Sequence, residues 1–286
     1  MDLDLNEKND CLGWAAGISV RVYGVKVGIR SNRPEWIDRV WRHLPYGSKV
    51  IQSAVVDRVY SIIIGGAGAR ANTHRSNVLY GDQVRLLRSV NVDEIFDRLE
   101  SDLRLFVAEL AHDRVFVHAG VVGWEGKAIV IPGRSFSGKS TLVAELLRAG
   151  ATYYSDEYAV FDKRGRVHPF LKDLEIRVSD DWRQTRLTAG SFGVGTGTKP
   201  IPVGKILVTQ YKTGSKWRPR QLSPGKAVLA LLSNTVSARR QPEIALATLQ
   251  RVVAEAQTLR GTRGEAHELV PLILERMEKK GDSEPD

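Results

Sequence analysis

The stretch Gly133-Arg134-Ser135-Phe136-Ser137-Gly138-Lys139-Ser140-Thr141 decides how this chain is read. Its spacing is G-x-x-x-x-G-K-[ST], in which a loop turns backbone N–H groups inward on phosphate, a lysine reaches the β and γ phosphates, and a hydroxyl ligates magnesium. Such a loop needs a buried strand before it and a helix N-terminus after it. Residues 127–132, Lys-Ala-Ile-Val-Ile-Pro, form a short apolar run ending at the glycine. Residues 141–150 place Leu142, Val143, Leu146 and Leu147 at helical spacing and close on Gly150. The order is strand, loop, helix, and residues 133–141 are expected to hold a nucleoside triphosphate.

Outward from the loop, composition bounds the rest. The 286 residues are 42% hydrophobic and 26% charged, enough for one large or two modest globular domains. One cysteine, Cys11, excludes an intrachain disulfide and a cysteine-based zinc cluster. The acidic start lacks the plan of a signal peptide, and no apolar run approaches the roughly 20 residues of a membrane span, so a cytoplasmic protein with no membrane partner is expected. The net charge of +9 is spread along the chain and interleaved with Asp and Glu, which reads as a solvated basic surface rather than a nucleic-acid footprint. An acidic or phosphorylated partner suits it equally.

Residues 1–111 read as a small α+β N-terminal domain, frayed over the first dozen residues. Alternation over 18–29 across Gly24 predicts two strand pieces at a turn or bulge, and Pro34 opens a helix carrying Trp36, Ile37, Val40, Trp41 and Leu44 until Pro45. Further strands are expected at 57–64, 77–80 and 83–87. Gly65-Gly66-Ala67-Gly68 lacks a following helix and reads as a flexible turn. Ile95, Leu99, Leu103, Phe106, Val107 and Leu110 stripe a long amphipathic helix.

Residues 112–277 read as the catalytic domain. A strand over 114–124 carries His118 toward the loop, and Glu125-Gly126 turns tightly into the next strand. Residues 151–161 are read as one apolar strand containing Asp156 and Glu157, costly in a β run unless paired with a cation. Phosphoryl transfer to a hydroxyl needs a metal ligand and a proton acceptor, and adjacent strand positions face opposite ways, so a division of labour between the two carboxylates follows. In residues 173–178 the charged face, Asp173, Glu175 and Arg177, is either solvent surface or an offer of a carboxylate to metal and a guanidinium to phosphate; spacing does not choose. Residues 189–198 are glycine-rich, a mobile lid or a linker. A strand at 203–209, helices at 223–232, 244–259 and 269–277, and a disordered tail at 278–286 complete the chain.

Four landmarks in order, His118-Ala-Gly-Val-Val, the loop from Gly133 to Ser140, Asp156-Glu157 and Leu174-Glu-Ile-Arg177, give the stretch from His118 to about Leu259 a resemblance to the HPr kinase/phosphorylase catalytic domain, whose nucleotide fold is akin to phosphoenolpyruvate carboxykinase. Thr141, Glu157 and Val178 differ from the residues usual in that family. The fold class implied is α/β, a P-loop kinase domain preceded by the small α+β domain. The resemblance implies that Lys139 and the loop bind ATP, that Ser140 and Glu175 hold Mg2+ with support from Glu157, that Asp156 is the base, and that His118 lies near the reacting phosphates. Arg177 completes the candidate catalytic set of Asp156, His118, Lys139 and Arg177.

The function expected from this is a kinase transferring the γ-phosphate of ATP to a hydroxyl, a serine of a peptide or protein such as a natural-product precursor peptide. A small-molecule kinase and a catalytically silent ATP-binding regulator are the alternatives. The partner is a serine-bearing substrate, with a homo-oligomer as an open expectation.

Overall fold

The computed structural model describes residues 13–65, 76–133, 137–177 and 184–278. The chain divides into two compact units, Met1–Asp113 and Arg114–Asp286. Three of the sequence readings, the frayed first dozen residues, the glycine turn beyond Gly65 and the polar tail beyond Glu278, lie outside the described residues.

In the first unit β1 (Ala16–Val22), β2 (Val25–Ser31), helix α1 (Glu35–Val40), β3 (Lys49–Val50), β4 (Arg58–Ile63), β5 (Asn77–Gly81), β6 (Val84–Ser89) and helix α2 (Val92–Leu110) follow one another. The strands pair in the order β3-β1-β2-β4-β5-β6, with β2 and β4 parallel and the other pairs antiparallel. Tyr23 and Gly24 both have positive φ, 48° and 87°, so the alternation across Gly24 resolves as a two-residue hairpin. The expected helix over 34–44 is shorter as an α-helix: α1 ends at Val40 and Trp41–His43 tighten into a 3₁₀ turn before Pro45. Asn91 caps α2 by accepting from Asp93 N–H at 2.9 Å. The stripe of α2 is buried at Ile95, Phe96, Leu99, Leu103 and Val107, and the helix packs on β5 and β6. Between helix and sheet, Tyr60 donates to Asp102 at 2.8 Å and Arg58 pairs with the same carboxylate at 2.9 Å.

The second unit contains β7 (Val115–Trp124), β8 (Lys127–Pro132), α3 (Lys139–Arg148), β9 (Thr152–Ser155), β10 (Tyr158–Phe161), β11 (Val167–His168), β12 (Leu174–Arg177), β13 (Gln184–Leu187), β14 (Val203–Tyr211), β15 (Arg220–Gln221), α4 (Pro224–Leu232), α5 (Pro242–Glu255), β16 (Gln257–Arg263) and α6 (Ala266–Glu278). Its main sheet runs β11-β10-β7-β8-β14-β16-β15, with β9 also on β7; β8, β14 and β16 are parallel, while β7 is antiparallel to β8. β12 and β13 form a separate antiparallel pair.

This is a mixed α/β architecture, and its core lies on both faces of the main sheet. Ala128 and Val130 of β8 point to the face covered by α4 and α5, while Ile129 and Ile131 point to the face covered by α3 and α6. A strand buried on both sides needs apolar residues at every position, which is why residues 128–131 read as an unbroken run. Along β7, Val117, Ala119 and Val121 face α4 and α5, which leaves His118 and Gly120 on the other parity, with Val122 on the α3 side. Among the described residues no helix is long and apolar enough to cross a membrane.

Two readings of this unit change. The strand over 151–161 is two strands, β9 and β10, interrupted at Asp156 and Glu157. The helix over 244–259 ends at Glu255; residues 257–263 extend instead as β16, in parallel register with Lys205–Tyr211 of β14. Buried Thr258 and Leu259 satisfy a helical spacing and a strand alike, and the free edge of β14 decides between them. The glycine-rich residues 189–198 are docked on β9: Tyr153 N–H donates to Gly195 O at 3.0 Å, Gly197 N–H donates to Tyr153 O at 2.7 Å, and Gly197 lies against the ring of Tyr154, where a Cβ would have no room.

Candidate active site

The site is assembled where the sheet meets the N-terminus of α3. Gly133 follows β8, and a Cβ there would stand 2.7 Å from Ser137 Oγ, so the glycine lets Ser137 approach the end of the strand. Gly138, at φ 80°, caps α3 in the left-handed region. Its carbonyl accepts from Arg263 Nη2 at 2.9 Å, which ties the loop to the end of β16. Arg134, Ser135 and Phe136 of the phosphate-loop reading lie outside the described residues. Ser137, Gly138, Lys139 and Ser140 are half-buried, and Thr141 faces outward.

Asp156 is brought to the loop by the bend between β9 and β10. Both strands pair with β7, Ser155 opposite Val121 and Tyr158 opposite His118, so the intervening carboxylates fall opposite Gly120 and Ala119. The bend is local chemistry: the buried Ser155 hydroxyl oxygen accepts from the backbone N–H groups of Glu157 at 3.2 Å and Tyr158 at 3.1 Å. Asp156 Oδ1 comes within 3.7 Å, and Lys139 Cβ within 3.9 Å, of the position a Cβ on Gly120 would occupy. Gly120 has no side chain to spare, because the same Cβ would stand 2.5 Å from Val143 Cγ2 of α3.

The electrostatics single out Asp156. Burial pushes its pKa up from 3.8 to about 6, against the pull of a hydrogen bond with Ser140 and the nearby Lys139 and Lys172 ammonium groups. Its Oδ1 is buried with no hydrogen-bond partner among the described residues. A buried orphan oxygen costs free energy, so a structure that keeps one invites a ligand or proton there. Lys139 is pulled below the usual lysine range by burial, with Asp156 opposing. His118 is likewise lowered by burial, Glu157 opposing and Lys139 reinforcing, which favours a neutral imidazole; its ring packs 4.7 Å from that of Tyr158.

Glu157 and Glu175 share one cation beside Asp156. Lys172 Nζ lies 3.7 Å from Glu157 and 3.4 Å from Glu175, and Arg186 lies 3.7 Å from Glu175. The two glutamates expected at the metal therefore meet at an ammonium group. The Ser140 hydroxyl, hydrogen-bonded to Asp156, is a further oxygen donor suited to a hard cation. Among the described residues no three His, Cys, Asp or Glu side chains cluster as a metal centre. Arg177 ends β12, and its side chain lies outside the described residues.

Sequence reasoning missed Gly120, Ser155, Lys172 and Arg263. Gly120 and Ser155 matter through what they stand beside. Lys172 carries no motif, and Arg263 was hidden by reading its strand as helix.

No protein-family model and no curated protein matches this chain. Among solved structures, the HPr(Ser) kinase/phosphatase from Coxiella burnetii is similar over 58% of this chain and 97% of that one, at 12% identity and a TM-score of 0.30, a likeness that decides neither fold nor function.

Proposed function

We propose that this chain is an ATP-dependent kinase that moves the γ-phosphate onto a hydroxyl, a serine of a peptide or protein. The observation that carries the reading is Asp156 Oδ1, buried, unpartnered and beside the lysine and serine of the phosphate loop. A general base works best with a pKa near the working pH, and about 6 meets that condition.

In this mechanism the backbone N–H groups at the start of α3 and the Lys139 ammonium hold the phosphates, and the loop sets the γ-phosphorus facing the β9–β10 bend. The acceptor hydroxyl gives its proton to Asp156 as its oxygen bonds to the γ-phosphorus. The bond from that phosphorus to the bridging oxygen breaks, and the electron pair leaves with ADP. The Ser140 hydroxyl would hold Mg2+, with Glu157 and Glu175 supplying carboxylate oxygens, and the ion when bound would neutralise charge on the phosphates. Lys172 gathers Glu157 and Glu175 at one place beside Asp156. Neutral His118 contributes by packing beside the site rather than by charge.

The test is label transfer from γ-labelled ATP with magnesium to serine-containing peptides and small hydroxyl compounds, read by mass. Transfer to a peptide serine should fall by roughly 10²-fold or more in Asp156→Asn while ATP affinity stays near normal. Transfer that survives the substitution removes Asp156 as base. Transfer to a small hydroxyl compound alone selects the small-molecule kinase, and ATP binding without any transfer selects the silent regulator.

A further inference from the structure

We propose that the cavity on the far side of the phosphate loop from Asp156 is the nucleoside subsite of the bound nucleotide, with Glu265 receiving the ribose hydroxyls; this rests on the ATP-binding reading above. The cavity encloses about 530 Å³, and its lining includes Ser137, Gly138 and Thr141 from the loop and α3, Tyr211 from the end of β14, and Arg263 and Glu265 at the end of β16. That volume falls within the usual range for a small-molecule site, and the carboxyl ends of parallel strands are where open α/β sheets take ligands.

Its place in the sheet chooses the nucleoside over the acceptor. β8 delivers the loop and has β7 on one side and β14, then β16, on the other. Asp156 and His118 stand on the β7 side, and the cavity stands on the β14 and β16 side. A nucleotide whose phosphates lie over the loop projects its two ends to opposite sides of β8. With the γ-phosphate toward Asp156, the ribose and base enter the cavity.

The lining chemistry points the same way. Arg263 is 2% exposed; Nη1 donates to Gly264 O at 3.0 Å and Nη2 to Gly138 O at 2.9 Å, while Nε is buried without a partner among the described residues. A buried cationic donor left over at a cavity wall is a group that a polar ligand satisfies. Tyr211 lies under the Arg263 guanidinium, 5.3 Å from its ring centroid, and its hydroxyl donates to Glu265 at 2.7 Å. The tyrosine thereby orients a carboxylate that is otherwise exposed. A carboxylate accepts from both hydroxyls of a vicinal diol, the geometry by which acidic side chains recognise ribose.

The experiment is calorimetric titration of the full chain and of Glu265→Gln with three probes, each with magnesium: ATP, 2′-deoxy-ATP and inorganic tripolyphosphate. Glu265 is exposed, so the substitution leaves the fold intact. The wild type should bind ATP at least tenfold tighter than tripolyphosphate and about tenfold tighter than 2′-deoxy-ATP, the worth of one hydrogen bond to a charged group. In Glu265→Gln the preference over 2′-deoxy-ATP should shrink below about threefold with tripolyphosphate binding unchanged. Equal affinity of the wild type for ATP and tripolyphosphate overturns the subsite while leaving the phosphate loop standing. So does a ribose preference that persists in Glu265→Gln. Failure of all three probes to bind removes the ATP-binding reading, and the subsite with it.

Discussion

Replacing Asp156 with asparagine should make the protein more stable as it makes it inactive. In the folded chain the carboxyl has its pKa raised from 3.8 to about 6, chiefly by burial. Between those values the unfolded chain has lost the proton and the folded chain keeps it. The unfolded state binds fewer protons there, so stability falls as pH rises through the window and stays low above it. A difference of about two pH units corresponds to a cost on the order of 3 kcal/mol at about pH 8, shrinking to about 1 kcal/mol near pH 4.5. Asparagine keeps the shape, can still accept from Ser140 and never ionises. Urea unfolding followed by tryptophan fluorescence should therefore show Asp156→Asn more stable than wild type by about 3 kcal/mol at the higher pH, with the gap closing at the lower. A variant equally stable at both pH values, or less stable than wild type at the higher one, refutes the buried-carboxylate account. A stability loss of that size at one carboxylate would be the signature of a residue kept for chemistry.

Two further outcomes follow from the same geometry. Lys139→Ala removes the ammonium at the loop and should weaken ATP binding by roughly 10- to 100-fold, measured by titration; unchanged affinity would mean that the phosphates sit elsewhere. Gly120→Ala puts a Cβ 2.5 Å from Val143 Cγ2 and should cost about 1–3 kcal/mol in unfolding free energy. Adding Val143→Ala to it should recover part of that loss, and no recovery would place the strain elsewhere.

Much of the local structure is legible in the residues themselves. The run before Gly133 is apolar at positions 128–131 because β8 is buried on both faces, and the stripe of α2 carries its 3.6-residue period through about four turns. The loop announces itself because phosphate contacts made by consecutive backbone groups demand consecutive residue types. Asp156 stood out because a carboxylate among β-branched and aromatic neighbours is costly.

What the chain could not display locally is what depends on its distant parts meeting. Residues 257–263 carry a pattern that suits helix or strand, and only the open edge of β14 makes them β16 and brings Arg263 to Gly138, 125 positions away in sequence. Glu157 and Glu175 are distant in sequence, yet both meet the ammonium group of Lys172. The pKa of Asp156 is likewise tertiary, set by how much water the packed sheet and α3 exclude. Sequence by itself determined which segments could be strand, loop and helix, because periodicity and backbone chemistry are local; the tertiary structure alone decided which charges face one another, because Coulomb and desolvation energies depend on distance in space and not along the chain.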